Sequence, residues 1–300
     1  MSESPTSRGA KSPSGPRNEP PEAGRPAVDH EARPGRTVSF VSEVDLTQVG
    51  RIWAETPEPR RPSSLAIVVK AVAMALREFP EANRRAFRAG VWPFRAARLY
   101  AFDRRDVAVA IEREVPGVGS VEILDILRDA DRSSLDAITA HLNKLSTSEV
   151  TEDRRWREAI DRDAAKSDRA ASRTTPSSPD RWVRECGGAA LVGSTSDNRV
   201  DASFGASDHP IAVTFGLAKL RPVVIGKAVE PVLTFFLTLN CDRGVLSRGQ
   251  AARFFDRIVG ILERAEAELA PFLPAAAPVT REEFPTVETQ QIPGRSDRRR

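Results

Sequence analysis

The stretch from Leu233 to Phe255 constrains this chain more than any other. Residues 233–240 (LTFFLTLN) form an apolar run rich in strand-forming side chains. Cys241, Asp242, Arg243 and Gly244 then make a tight polar turn, and a helix begins near Ser247 with Ala251, Phe254 and Phe255 on its apolar face. A turn at the end of a buried strand holds its side chains on fixed backbone, so this junction is the natural place for a site.

The chain around it alternates strands and helices. Residues 37–45 have the β-branched, alternating pattern of a strand, with Val38, Phe40 and Val44 turned inward. Ser63 or Ser64 caps a helix whose apolar positions, Leu65, Val68, Val69, Val72, Leu76 and Phe79, make one stripe that Pro80 ends. Residues 107–111 (VAVAI) read as a buried strand, and Gly117 and Gly119 as the turn into a second one. Ser133 caps the next helix, with Leu135, Ile138, Leu142 and Leu145 on one face. Further strands are expected at 189–193, 211–215, 223–225 and 232–240. A last helix carries Ala251, Phe254, Phe255, Ile258, Leu262, Ala265 and Leu269. Mixed strands with helices packed on one side predict an α/β two-layer sandwich.

Composition bounds the rest. The 45 Lys and Arg against 42 Asp and Glu give a net charge of +3, too near balance to predict a nucleic-acid partner. Two cysteines, Cys186 and Cys241, fit reduced thiols better than a disulfide framework. No apolar run reaches the ~18 residues of a membrane span, and no secretory signal is visible, which predicts a cytoplasmic protein without a membrane partner. Residues 1–35 and 271–300 are poor in large apolar residues and are expected to be disordered tails around a folded region at 36–270. The basic cluster at 295–300 reads as a solvated end. Residues 146–181 are a polar insertion whose first half suits a short surface helix anchored by Trp156 and Ile160, and whose run from Ser172 to Pro179 suits a loop. Zinc-ligand spacing, a glycine-rich phosphate loop and a nucleophile elbow are all absent, so no metal is expected.

Residues 36–265 resemble, in order, the catalytic domain of dihydrolipoamide acyltransferases, the core subunits of 2-oxo acid dehydrogenase complexes, which have the chloramphenicol-acetyltransferase-like sandwich. The resemblance rests on Glu43 to Asp45; on residues 69–83, a helix followed by the Pro80, Glu81, Ala82, Asn83 turn; on 106–110 and 126–135; and on 210–216 and 221–224. It is closed by the junction itself, where Asp242 and residues 251–254 (AARF) match the family's strand end and helix. The resemblance implies a homotrimer with a channel between subunits, where two thiol-bearing ligands meet. One is coenzyme A and the other a lipoyl group. Complex subunits of the family also carry a lipoyl domain, for which residues 1–35 are too short, so if the chain transfers acyl groups the donor comes from outside it, on a lipoyl- or acyl-carrier partner.

The resemblance also shows what has changed. The family's catalytic His falls on Arg243, the next Arg on Gly244, and the later Asp on Ser247. The hydroxyl that steadies the tetrahedral oxyanion falls on Gly193 or Ser194. A thiol with a pKa near ~8.5 is only slightly ionised at neutral pH, so the family's His matters as a base, and a guanidinium cannot replace it in that role. His209, beside Asp208 in a loop, is the other candidate base; His141, beside Leu142 in a helix, reads as structural. Cys241 reads as a small buried residue. Two functions follow: thioester acyl transfer to coenzyme A or dihydrolipoamide-type thiols with weak or altered activity, or a catalytically silent trimeric scaffold, a pseudoenzyme that binds acyl thioesters or anions.

Overall fold

The computed structural model describes residues 17–18 and 37–273, apart from residues 59, 90–95, 118, 150, 151, 153, 166–175, 196–199 and 206. A two-residue strand β1 (Arg17–Asn18) precedes β2 (Thr37–Asp45), α1 (Thr47–Glu55), α2 (Ser64–Glu78), β3 (Arg84–Ala89), β4 (Ala96–Ala101), β5 (Val107–Val115) and β6 (Gly119–Leu127). Helices α3 (Leu135–Thr147), α4 (Arg154–Ala165) and α5 (Pro179–Glu185) follow. Then come β7 (Ala190–Ser194), β8 (Ile211–Phe215), β9 (Lys219–Ile225), β10 (Ala228–Asp242), α6 (Arg248–Glu263) and α7 (Ala265–Leu269).

The main sheet runs β2-β10-β8-β7-β5-β6, with β9 beside the first half of β10. β5, β7 and β8 are parallel, and the flanking pairs are antiparallel. β1, β4 and β3 make a small separate sheet. Asn83 ties that sheet to the domain, its side-chain amide donating to the carbonyls of Phe102 and Arg104, both at 2.8 Å.

Helix α2 is the centre of the core. The sequence predicts one apolar stripe, yet every residue from Ala66 to Leu76 is buried, because the sheet lies on one side and α3 and α6 close the flanks. Ser63 caps its N-terminus by accepting from the Ala66 amide. Lys70 is buried with the rest. Its ammonium has three donors, and they meet the carbonyls of Ala130, Asp131 and Ser133 at 3.2, 2.7 and 2.7 Å, with the Phe272 ring 3.3 Å away. That use of Ser133 corrects the expected cap of α3. Ser134 caps the helix instead, accepting from the Ala137 amide, because the Ser133 hydroxyl is turned back to the Asp129 carbonyl.

Trp156, carried by α4, is fully buried and donates to the Leu145 carbonyl at 3.1 Å. Packing continues past residue 270, where Phe272 and Leu273 join the core. The expected tails otherwise lie outside the described residues, apart from Arg17 and Asn18, which pair with Ala101 and Tyr100. Residues 172–175 of the expected loop also lie outside them. No described helix is long and apolar enough to cross a membrane.

Candidate active site

Strand alternation divides β10 between two environments. Phe235, Leu237, Leu239 and Cys241 face the helices and are buried in the core. Thr234, Phe236, Thr238 and Asn240 face the side of the sheet that carries no helical layer. There the Thr238 hydroxyl donates to the Ser203 carbonyl, and Asn240 accepts from the Ser39 hydroxyl at 2.6 Å. Burial pushes the Cys241 thiol up to about 12, with the neighbouring Asp242 charge adding to the effect.

The turn after β10 is organised by Asp242. Its amide donates to the Pro210 carbonyl, its carboxylate accepts from the Gly244 amide at 2.7 Å, and its carbonyl accepts from the amides of Val245 and Leu246. Val245 and Leu246 plug into the core, which leaves Arg243 exposed at the apex. Among the described residues Arg243 makes no ion pair and no side-chain hydrogen bond. Ser247 is the N-cap of α6 in a reciprocal capping box. Its amide donates to the Gln250 side-chain oxygen at 2.9 Å, and its hydroxyl meets both that oxygen and the Gln250 amide.

Register brings some expected site residues together and separates others. Ile211 pairs with Cys241, so His209 and Arg243 project from the same end of the sheet. Ser194 is exposed at the end of β7, where it pairs with Phe215, which in turn pairs with Leu237. From Leu237 to Arg243 is six residues of strand and turn, about 20 Å along the sheet at ~3.3 Å per residue. Within one chain Ser194 and Arg243 therefore stand at opposite ends. His141 lies elsewhere, on α3, its Nε2 2.6 Å from the Asp125 carboxylate.

His209 is buried in a cluster that sequence reasoning missed. Its ring lies 4.9 Å from that of Trp182 on α5, and its Nε2 is 3.0 Å from the Cys186 carbonyl. A carbonyl can only accept, so Nε2 carries a proton and serves as the donor. The guanidinium of Arg85, from β3, lies 3.5 Å from the centre of the Trp182 ring and donates to the Asp208 carbonyl. Burial lowers Arg85 to about 10, opposed by the charges of Asp208, Cys186 and Asp242. Beside this cluster, between α5 and the face of the sheet opposite α2, is a cavity of about 220 Å³ walled by Leu124, Trp182, Cys186, Leu191, Asp208 and His209 among others. Proline at the start of α5 was a readable helix signal; nothing in the sequence marks Arg85, whose role comes from the small sheet.

No protein-family model and no curated protein matches this sequence. Solved structures do match in shape. A probable dihydrolipoamide acetyltransferase from Listeria monocytogenes is 20% identical over 80% of this chain and 88% of its own, with a TM-score of 0.54. The dihydrolipoamide acetyltransferase of Azotobacter vinelandii, in whose catalytic mechanism a serine, a histidine and an asparagine have been investigated, is 20% identical over 78% and 84%, with a TM-score of 0.52. The cubic core of the pyruvate dehydrogenase multienzyme complex is 19% identical over 78% and 84%, with a TM-score of 0.50. The chain thus has the fold of an acetyltransferase catalytic core, as the sequence implies.

Proposed function

We propose that this protein, built on the fold of the dihydrolipoamide acetyltransferase cores, acts on acyl thioesters at a site made between copies of the chain. The observation that carries the reading is the separation of Ser194 from Arg243 by about 20 Å along one sheet. A hydroxyl for the oxyanion and a turn for the reacting thiol that are this far apart meet only if a second copy supplies one of them. A closed trimer is the simplest arrangement with that property, and assembly into a core is what one of the structural neighbours does.

In the reaction, the thiolate of one ligand attacks the carbonyl carbon of the other's acyl thioester. The tetrahedral oxyanion is held by the Ser194 hydroxyl, the carbon–sulfur bond to the donor breaks, and the leaving thiolate takes up the proton the attacking thiol lost. Coenzyme A and a lipoyl-type thiol on a carrier partner are the ligands this chemistry suits. The cavity beside His209 has the size to hold an acyl group or a thiol arm, with Leu124, Trp182 and Leu191 on its wall beside Glu122, Glu185 and Asp208. Arg243 favours the thiolate by its charge and takes no proton.

A second reading has its own support. Ser247 spends its hydroxyl on capping α6, and Arg243 offers no base, so the site suits a silent scaffold that binds acyl thioesters or anions. The two are separated by exchange of acetyl-coenzyme A with dihydrolipoamide, followed chromatographically on the purified full chain. Exchange above the uncatalysed rate supports transfer. Saturable binding of acetyl-coenzyme A without exchange supports the scaffold, and neither binding nor exchange removes both.

A further inference from the structure

Among the described residues, the wall of the cavity beside His209 carries one thiol, that of Cys186. Cys186 follows α5, and its backbone is held on both sides. Its amide donates to the Trp182 carbonyl at 2.7 Å, and its carbonyl accepts from His209 Nε2 at 3.0 Å. The chain then turns through Gly187, whose φ of +82 lies in the left-handed region and where an added Cβ falls 2.8 Å from Ile126. The Trp182 indole donates to the Gly188 carbonyl at 3.0 Å and completes the brace. The thiol therefore reaches the cavity from a fixed point, as a positioned nucleophile does.

Cations surround that thiol. Arg85 is 4% exposed, stacks on Trp182, and interacts with the charges of Cys186 and Asp208. Its buried Nε has no hydrogen-bond partner among the described residues, so one donor of the cluster is unspent. Arg181, on α5, also interacts with Cys186, and it neutralises the adjacent Glu185 through an ion pair at 2.8 Å. Of the other carboxylates on the wall, Asp208 has Arg85 beside it and Glu122 comes from β6. Neighbouring guanidinium groups favour the thiolate, which is the nucleophilic form. Arg85 interacts with the charge of Asp242 too, so the cavity and the turn that carries Arg243 are neighbours.

We propose that Cys186 is itself an acyl acceptor, taking the acyl group from a thioester seated in the cavity. Its thiolate attacks the carbonyl carbon, and a carbon–sulfur bond to Cys186 forms as the one to the donor breaks. The departing thiolate takes up the proton that Cys186 lost. The acyl group then passes to a second thiol by the same exchange. Transfer divided in this way needs no moment at which both thiols are bound together, and no histidine at the turn after β10. The inference rests on the reading that the ligands are acyl thioesters, and it adds a covalent intermediate held by one chain.

The test is acetyl-coenzyme A with the purified full chain, quenched in acid and followed by intact mass and peptide mapping, beside Cys186→Ala. One acetyl group per chain is expected, mapped to Cys186, released by hydroxylamine and absent from the variant. It should form at least about tenfold faster than on the denatured chain, the gain open to a thiol that is only slightly ionised when free at neutral pH. If the variant loses its fold, reversible blocking of Cys186 in the natural chain with an aromatic disulfide decides instead. Acetylation should then vanish and return on reduction. Binding or exchange of acetyl-coenzyme A with no acetyl on Cys186, or with acetylation no faster than on the denatured chain, overturns the covalent step and leaves the thioester reading standing. Neither binding, exchange nor acetylation overturns both.

Discussion

The guanidinium of Arg85 lies 3.5 Å from the centre of the Trp182 ring, and this stack joins the small sheet to the loop that carries His209. Arg85 also donates to the Asp208 carbonyl, so one side chain fixes α5, residues 207–209 and the wall of the cavity. Arg85→Met should cost about 2–3 kcal/mol, the sum of a cation–π contact and a carbonyl left without its donor. Denaturant unfolding measures that loss. Ligand binding in the cavity should weaken by more than the stability change alone predicts, because the loop loses its anchor. A variant as stable as the natural chain means that the stack is incidental.

Arg257 joins three helical segments, bonding Glu78 at 2.7 and 2.9 Å and Glu268 at 2.6 and 2.9 Å. The hydrogen bond from Arg257 holds the Glu268 carboxyl below the usual glutamate range. A lowered folded value means that the unfolded chain binds the proton more readily. The pairing therefore stabilises fully above about pH 4.3, and its contribution is lost as pH falls through the folded value. Both carboxylates are partly exposed, so the effect should be only about 1 kcal/mol. Arg257→Ala should lower the melting temperature at pH 7 and much less at pH 3. An equal loss at both values rules out the charge account.

The two cysteines should differ sharply toward an aromatic disulfide reagent. Cys241 is fully buried with its thiol pushed up to about 12, whereas Cys186 is half-buried and lines the cavity. One thiol per native chain is expected to react, mapped to Cys186, with the second appearing only on denaturation. Bound acyl thioester should slow the first. Rapid labelling of Cys241 in the native chain would falsify its place in the core.

Much of this fold was legible because local and tertiary signals agree in it. The strand at 37–45, the helix capped by Ser63 and the strand and helix around Asp242 each carry both a periodicity and a stop signal. Helix α1 was missed because its apolar positions are few. The β3–β4 pair was missed because its residues, Arg84 to Ala89 and Ala96 to Ala101, are largely Arg and Ala without strand alternation. The turn that holds Asp242, Arg243 and Ser247 was legible, because sequence order equals spatial order there. The distance from Ser194 to Arg243 was not, since register between non-neighbouring strands is a tertiary property. The grouping of Arg85, Trp182 and His209 needs three distant segments to meet, and no spacing records that.

The last prediction concerns Arg243. Its guanidinium is exposed at the apex of the turn and has donors but no acceptor, so it suits a thiolate or an anionic group and offers no base to abstract a proton. Thioester exchange by the natural protein should then be weak, and Arg243→Ala should abolish it or weaken binding of an anionic thioester. Arg243→His alone should restore little, because Gly244 and Ser247 give an imidazole no carboxylate to orient it. Adding Ser247→Asp supplies that carboxylate at little structural cost, since Asp caps a helix about as well as Ser. A positioned base is worth about 10²–10⁴-fold, so the double variant should approach the lower end of that range over Arg243→His, read as kcat/KM for acetyl exchange. His209→Gln serves as the control, because its Nε2 proton is engaged by the Cys186 carbonyl. Robust exchange by the natural chain that survives Arg243→Ala but not His209→Gln transfers the role of base to His209 and ends the case for Arg243.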